Sequence, residues 1–123
     1  MRTLIQSKLN ELENIESGEM IPDDIIEDNV IYFGYQLTKS YINNDFDKNH
    51  TYRVNLTGYI SRRIQAEENT TQIVDEAAED IVDKLEELNF RCNIEDVSIE
   101  NNIRKLRITG YVDYNEINNK LIV

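Results

Sequence analysis

Residues 29–63 constrain this chain more than any other stretch. Two apolar-alternating runs, 30–42 and 51–62, flank a tip rich in Asn and Asp. In the second run Val54, Leu56 and Ile60 share one parity, while Arg53, Asn55, Thr57, Tyr59 and Ser61 share the other. A period of two, carried by β-branched and aromatic residues, predicts strands. The stretch therefore reads as one large β-hairpin, with an apolar face for helices and a polar, aromatic reverse face. Arms this long exceed the usual strand of about five or six residues. The hairpin is expected to protrude and to meet a partner through its tip, residues 45–50, with Phe46 as an apolar anchor.

A chain of 123 residues has room for one core, so a single domain is expected. With 40% hydrophobic and 30% charged residues it reads as soluble and globular. No apolar run approaches the roughly 18 residues that span a bilayer. Met1-Arg2-Thr3-Leu4 lacks the apolar core of a signal peptide. The lone Cys92 forms no internal disulfide, which fits a reducing cytoplasm, and its apolar strand position reads as a buried small hydrophobe. The Asn55 and Asn69 glycosylation matches are accordingly read as accidental.

The net charge of −11 argues against a phosphate-neutralising surface and so against nucleic-acid binding. It suits a protein that stays near DNA without adhering to it. The charge is uneven. Residues 9–38 hold no Lys or Arg, whereas Arg53, Arg62, Arg63, Arg104, Lys105 and Arg107 gather on predicted strands. A molecule with an acidic and a basic part can stack head to tail on its own copies.

Around the hairpin the pattern is helical. Leu4, Ile5, Leu9, Leu12 and Ile15 predict a helix over 4–16, interrupted on its apolar face by Lys8, with Thr3 and Gln6 as a capping box and Gly18 as a left-handed exit. Residues 19–28 read as an acidic connector. Ile73, Val74, Ala77, Ala78, Ile81, Val82, Leu85 and Leu88 form the stripe of a second helix over 69–88, capped by Asn69 with Gln72 as its partner, and left through Asn89. Cys92 and Ile94 share a strand face, but Val97 and Ile99 have the opposite parity, so a bulge near Glu95 and Asp96 is expected. After a turn at 100–102, residues 103–114 alternate as the last long strand. Residues 115–123 either add an edge strand or reach a neighbour as an arm. The expected fold class is α+β: a two-layer sandwich of mostly antiparallel sheet, a long protruding hairpin, and two amphipathic helices on one face.

Catalytic signals are thin. His50 is the single histidine, so a histidine-based triad or zinc cluster would have to recruit it from the polar tip. Asp45, Asp47 and Asn49 imitate the start of a calcium loop, but His50 and Leu56 occupy the positions that need Gly and Glu. The four glycines are isolated, which excludes a phosphate-cradling loop. The expectation is a non-enzyme without cofactor or metal.

The element order resembles the tail terminator proteins of long-tailed phages and of contractile, phage-tail-like particles. An N-terminal amphipathic helix, an acidic connector, a long hairpin running into a helix over 69–88, and a closing pair of strands cover most of the chain. The resemblance implies a six-fold homo-oligomeric ring on the last ring of tail-tube protein. Such a ring stops tube polymerisation and forms the head-joining surface, with sheath and head-completion proteins as further contacts. It implies assembly in the bacterial cytoplasm, then residence in a virion or tail-like particle, and contact with neither membrane nor specific nucleic-acid sequence. Three contact surfaces follow: the tip with Phe46; a basic sheet face of Arg53, Tyr59, Arg62, Arg63, Lys105 and Arg107 meeting acids of the next copy; and Leu121, Ile122 and Val123 docking on a partner. On this reading charge reversal at Arg62 and Arg63 weakens the ring. Two other readings stay open, a neck or tail-completion connector and a free-standing ligand-binding regulatory domain.

Overall fold

The computed structural model describes residues 2–41, 51–97, 99, 101–115 and 120–121. The chain forms α1 (Arg2–Leu9), β1 (Glu16–Gly18), a 3-10 turn (Asp23–Ile25), β2 (Tyr32–Tyr41), β3 (Thr51–Arg63), α2 (Thr70–Glu86), β4 (Arg91–Asp96), β5 (Ile103–Asn115) and β6 (Lys120–Leu121). One mixed sheet runs in the order β1-β2-β3-β5-β4, with β6 beside β5. Only β1 and β2 are parallel among the described strand pairs. This is the α+β two-layer arrangement the alternation predicts.

The hairpin pairs from Tyr32↔Ser61 to Tyr41↔Tyr52. Its second arm is flanked along its whole length by β5, from Thr51↔Asn115 to Arg63↔Ile103. Throughout its described part the hairpin is therefore absorbed into the sheet. The tip, with Phe46, lies outside the described residues. The register gathers Phe33, Tyr35, Leu56, Ile60, Ile108 and Val112 on one face, all buried. Against them pack Ile5 and Leu9 of α1 and Val74, Ala77, Ala78, Ile81 and Leu85 of α2. Both helices thus cover the same face, because each presents a single apolar stripe.

Gly58 sits where this core is tightest. The Phe33 and Tyr35 rings stack 5.5 Å apart beside it. A Cβ at Gly58 would lie 2.5 Å from the Phe33 ring, closer than atoms can approach. The glycine is there for space, since its backbone is not left-handed. The left-handed positions belong to Asn29, Asn89, Asn101 and Asn102. Asparagine tolerates this conformation better than other side-chain-bearing residues. Asn89 ends α2 as expected, and Asn101-Asn102 turn the chain between β4 and β5.

Three local expectations are corrected. First, α1 stops at Leu9 instead of extending to Glu16. Leu12 and Ile15 still reach the core, but through turns closed by Leu12 N–H to Leu9 C=O at 3.0 Å and Ile15 N–H to Leu12 C=O at 3.3 Å. Gly18 is then free to serve in β1, without positive φ. Second, Gln6 is no capping partner. Its amide nitrogen donates to Ser17 Oγ at 2.9 Å, and its amide oxygen accepts from Tyr35 Oη at 2.7 Å. One side chain thereby ties α1 to β1 and β2. Third, β4 needs no bulge. Its register is continuous from Arg91↔Tyr111 to Asp96↔Leu106, and the strand ends there, releasing Val97 and Ile99 from the sheet. At α2 the cap holds: Asn69 Oδ1 accepts from Gln72 N–H at 3.2 Å.

Candidate interaction surface

The sheet face away from the helices carries the other parity of each strand. Across its middle run Arg53 opposite Asp113, Thr57 opposite Thr109, and Tyr59 opposite Arg107. Asn93 and Glu95 of β4 continue the rows. The connector covers one end: Ile26 and Ile103 are buried there, outside the main core cluster. The remainder is half-exposed and polar.

The expected basic patch is already neutralised from within the chain. Arg53 Nε donates to Asp113 Oδ1 at 2.8 Å, and its guanidinium lies 4.1 Å from the Tyr111 ring centre. Lys105 Nζ meets Asp23 Oδ1 at 2.6 Å and sits 5.6 Å from the Tyr59 ring. Arg107 pairs with Glu95. That contact holds the guanidinium above its ordinary pKa and the Glu95 carboxyl below its own. Within the chain these cations thus pair with Asp23, Glu95 and Asp113. Two of these partners were readable from strand register, since Asp113 stands opposite Arg53 and Glu95 opposite Arg107. Asp23 was not, because it arrives on the connector.

Arg62 and Arg63 are corrected. Arg62 has core parity and turns to the helix side, where it is 8% exposed. Its Nε donates to Glu68 Oε2 at 2.9 Å, and the Thr70 hydroxyl donates to the same oxygen at 2.9 Å. The hydrogen bond from Arg62 is the main cause of the depressed Glu68 pKa. This bridge fixes the β3–α2 junction. Arg63 Nε donates to Ile26 C=O at 2.5 Å, and its terminal nitrogen to Asp23 C=O at 3.2 Å, pinning the connector to the sheet. Charge reversal at either residue therefore acts on the fold. Leu121 lies in β6, paired with Tyr114, which is the edge-strand alternative for the C-terminus. Ile122 and Val123 lie outside the described residues.

Exposed negative charge concentrates on α2. Asp75, Glu76, Glu79, Asp80, Asp83 and Glu86 are all exposed on α2. At the other end of that helix Lys8 and Lys84 share Glu11 and Glu87, clamping α1 to α2. Cys92 is half-buried on the core face, and burial, with Glu86 nearby, pushes its thiol up to about 11. It is therefore protonated at neutral pH and a poor nucleophile. Among the described residues no group of His, Cys, Asp or Glu is arranged to hold a metal ion, and no helix is long and apolar enough to cross a membrane. Compared with protein-family models, curated proteins and solved structures, the chain matches none.

Proposed function

We propose that this chain is a tail terminator. Copies join as a six-fold ring on the last ring of tail-tube protein, stop its growth, and offer the surface that meets a head or closes a headless particle. The observation that carries the reading is the element order realised on one sheet: α1, the β2–β3 hairpin, α2 and the β4–β5 pair, with both helices on one face and the other face left polar. Work of this kind needs shape and polarity, not catalysis. The exposed acids of α2 suit a particle through which DNA must slide, because like charge repels it. Assembly would take place in the bacterial cytoplasm.

The test is tube length. On this reading, tube protein of the same particle, purified alone, is expected to polymerise without a set length. Adding this chain during polymerisation is expected to halt elongation and shorten the tubes in proportion to the amount added. Tubes that grow to the same length with and without it reject the terminator role.

A further inference from the structure

Two sheet edges are open among the described residues. On the outer side of β2, β1 pairs only with Tyr32, Phe33 and Gly34. Residues 35–41 therefore have no described neighbour on that side. At the opposite end of the sheet the outer side of β4, Arg91–Asp96, has none either. Alternate residues of such strands aim N–H and C=O outward, a template for a further strand.

The two edges are complementary in length, direction and apolar content. The free half of β2 is seven residues long by its numbering, and β4 has six residues. The antiparallel pairings β2–β3, β3–β5 and β5–β4 leave β4 antiparallel to β2. A copy placed edge to edge with the same face toward its helices therefore pairs in the antiparallel sense. On the β2 edge Lys39 stands over the Tyr52 ring at 4.0 Å and Arg2 over the Tyr35 ring at 5.1 Å. On the β4 edge Asp96 and Asp75 both pair with Arg104 of the same chain, and Asp75 and Glu79 of α2 line the same hollow as Ile94. Ile94 is 39% exposed despite its core parity, and Leu37 on β2 is only half-buried. Setting Ile94 opposite Leu37 closes both.

We propose that a second copy of this chain docks its β4 edge on the free half of β2, so that neighbouring sheets join into one. The contact uses different surfaces on the two copies, which is the kind that closes into a ring when the rotation between copies allows it. It supplies the subunit interface of the ring above and rests on that reading for its closure, though not for the pairing itself. In the register that faces Ile94 with Leu37, Asn93 stands opposite Thr38 on the polar face.

The test uses thiol pairs in the full chain with Cys92→Ala. One protein carries Thr38→Cys, another Asn93→Cys, and a short bis-maleimide linker tolerates a slip of two residues. The mixture is expected to give linked dimers, and a protein bearing both substitutions a ladder of higher species. Each single variant alone stays unlinked. Ile94→Lys is expected to weaken self-association roughly tenfold or more, as loss of a central apolar contact does, with unchanged melting. Dimers from either single variant alone, or no linkage in the mixture, overturn the proposal. Linkage with unrestrained tube growth keeps this interface and removes the terminator reading. Restrained tube growth without linkage does the reverse.

Discussion

Gly58→Val is expected to leave the chain unfolded or insoluble, and Gly58→Ala to cost roughly 3 kcal/mol, the upper part of the usual overpacking range. The cause is one contact: any Cβ at this position meets the Phe33 ring at 2.5 Å and the Tyr35 Cβ at 2.9 Å. Neither neighbour can move cheaply, since Phe33 is fully buried and Tyr35 is 1% exposed and tied to Gln6. Against a total stability of about 5–15 kcal/mol, this loss is large. Gly18→Ala is the control, because its Cβ meets only the end of a side chain, Tyr32 Oη at 3.1 Å. Urea unfolding should show a shifted midpoint for Gly58→Ala and little change for Gly18→Ala. Adding Phe33→Leu should recover part of the loss, as expected for residues in direct contact. Equal midpoints for the two alanine variants would remove the packing explanation.

Arg62→Glu should lower the melting temperature by roughly 10 °C or more, since it places a second carboxylate against Glu68 in a largely desolvated site. The side chains of Arg62 and Glu68 are 10% and 18% exposed, against 41% for both Arg107 and Glu95. Arg107→Glu should therefore melt close to the parent, as exposed pairs contribute little. The pH dependence follows from Glu68, whose carboxyl Arg62 holds below its ordinary value of 4.5. A depressed carboxyl stabilises the fold above that value, and the contribution is lost as pH falls through the lowered folded value. In Arg62→Glu the two facing carboxylates raise each other's pKa, so their repulsion is relieved at higher pH than that at which the parent loses its bridge. The gap between parent and variant should accordingly narrow below pH 4.5. A gap that is constant or widens there contradicts the bridge.

Most of the fold was legible from two periodicities. The alternation of Val54, Leu56 and Ile60 placed the core face of β3, and the stripe from Ile73 to Leu88 placed α2 with its Asn69 cap and Asn89 exit. What could not be read depended on distant partners. β1 is three residues, Glu-Ser-Gly, with no strand propensity, and it exists because β2 offers an edge and Gln6 holds Ser17. The first helix ended early for the same reason. The candidate surface was half legible. Its cations were visible, and alternation alone should have turned Arg62 toward the helices, as it shares parity with Ile60. Their partners needed the β3–β5 and β4–β5 registers and the path of the connector, which follow from packing across the whole chain.

The appearance of tube ends tests most directly whether copies of this chain cap a tail tube. Electron microscopy of tubes assembled with this chain should reveal a six-fold ring on one end of each, built of copies joined sheet to sheet. Tubes with bare ends, in a solution where the chain remains a separate monomer, would contradict such capping.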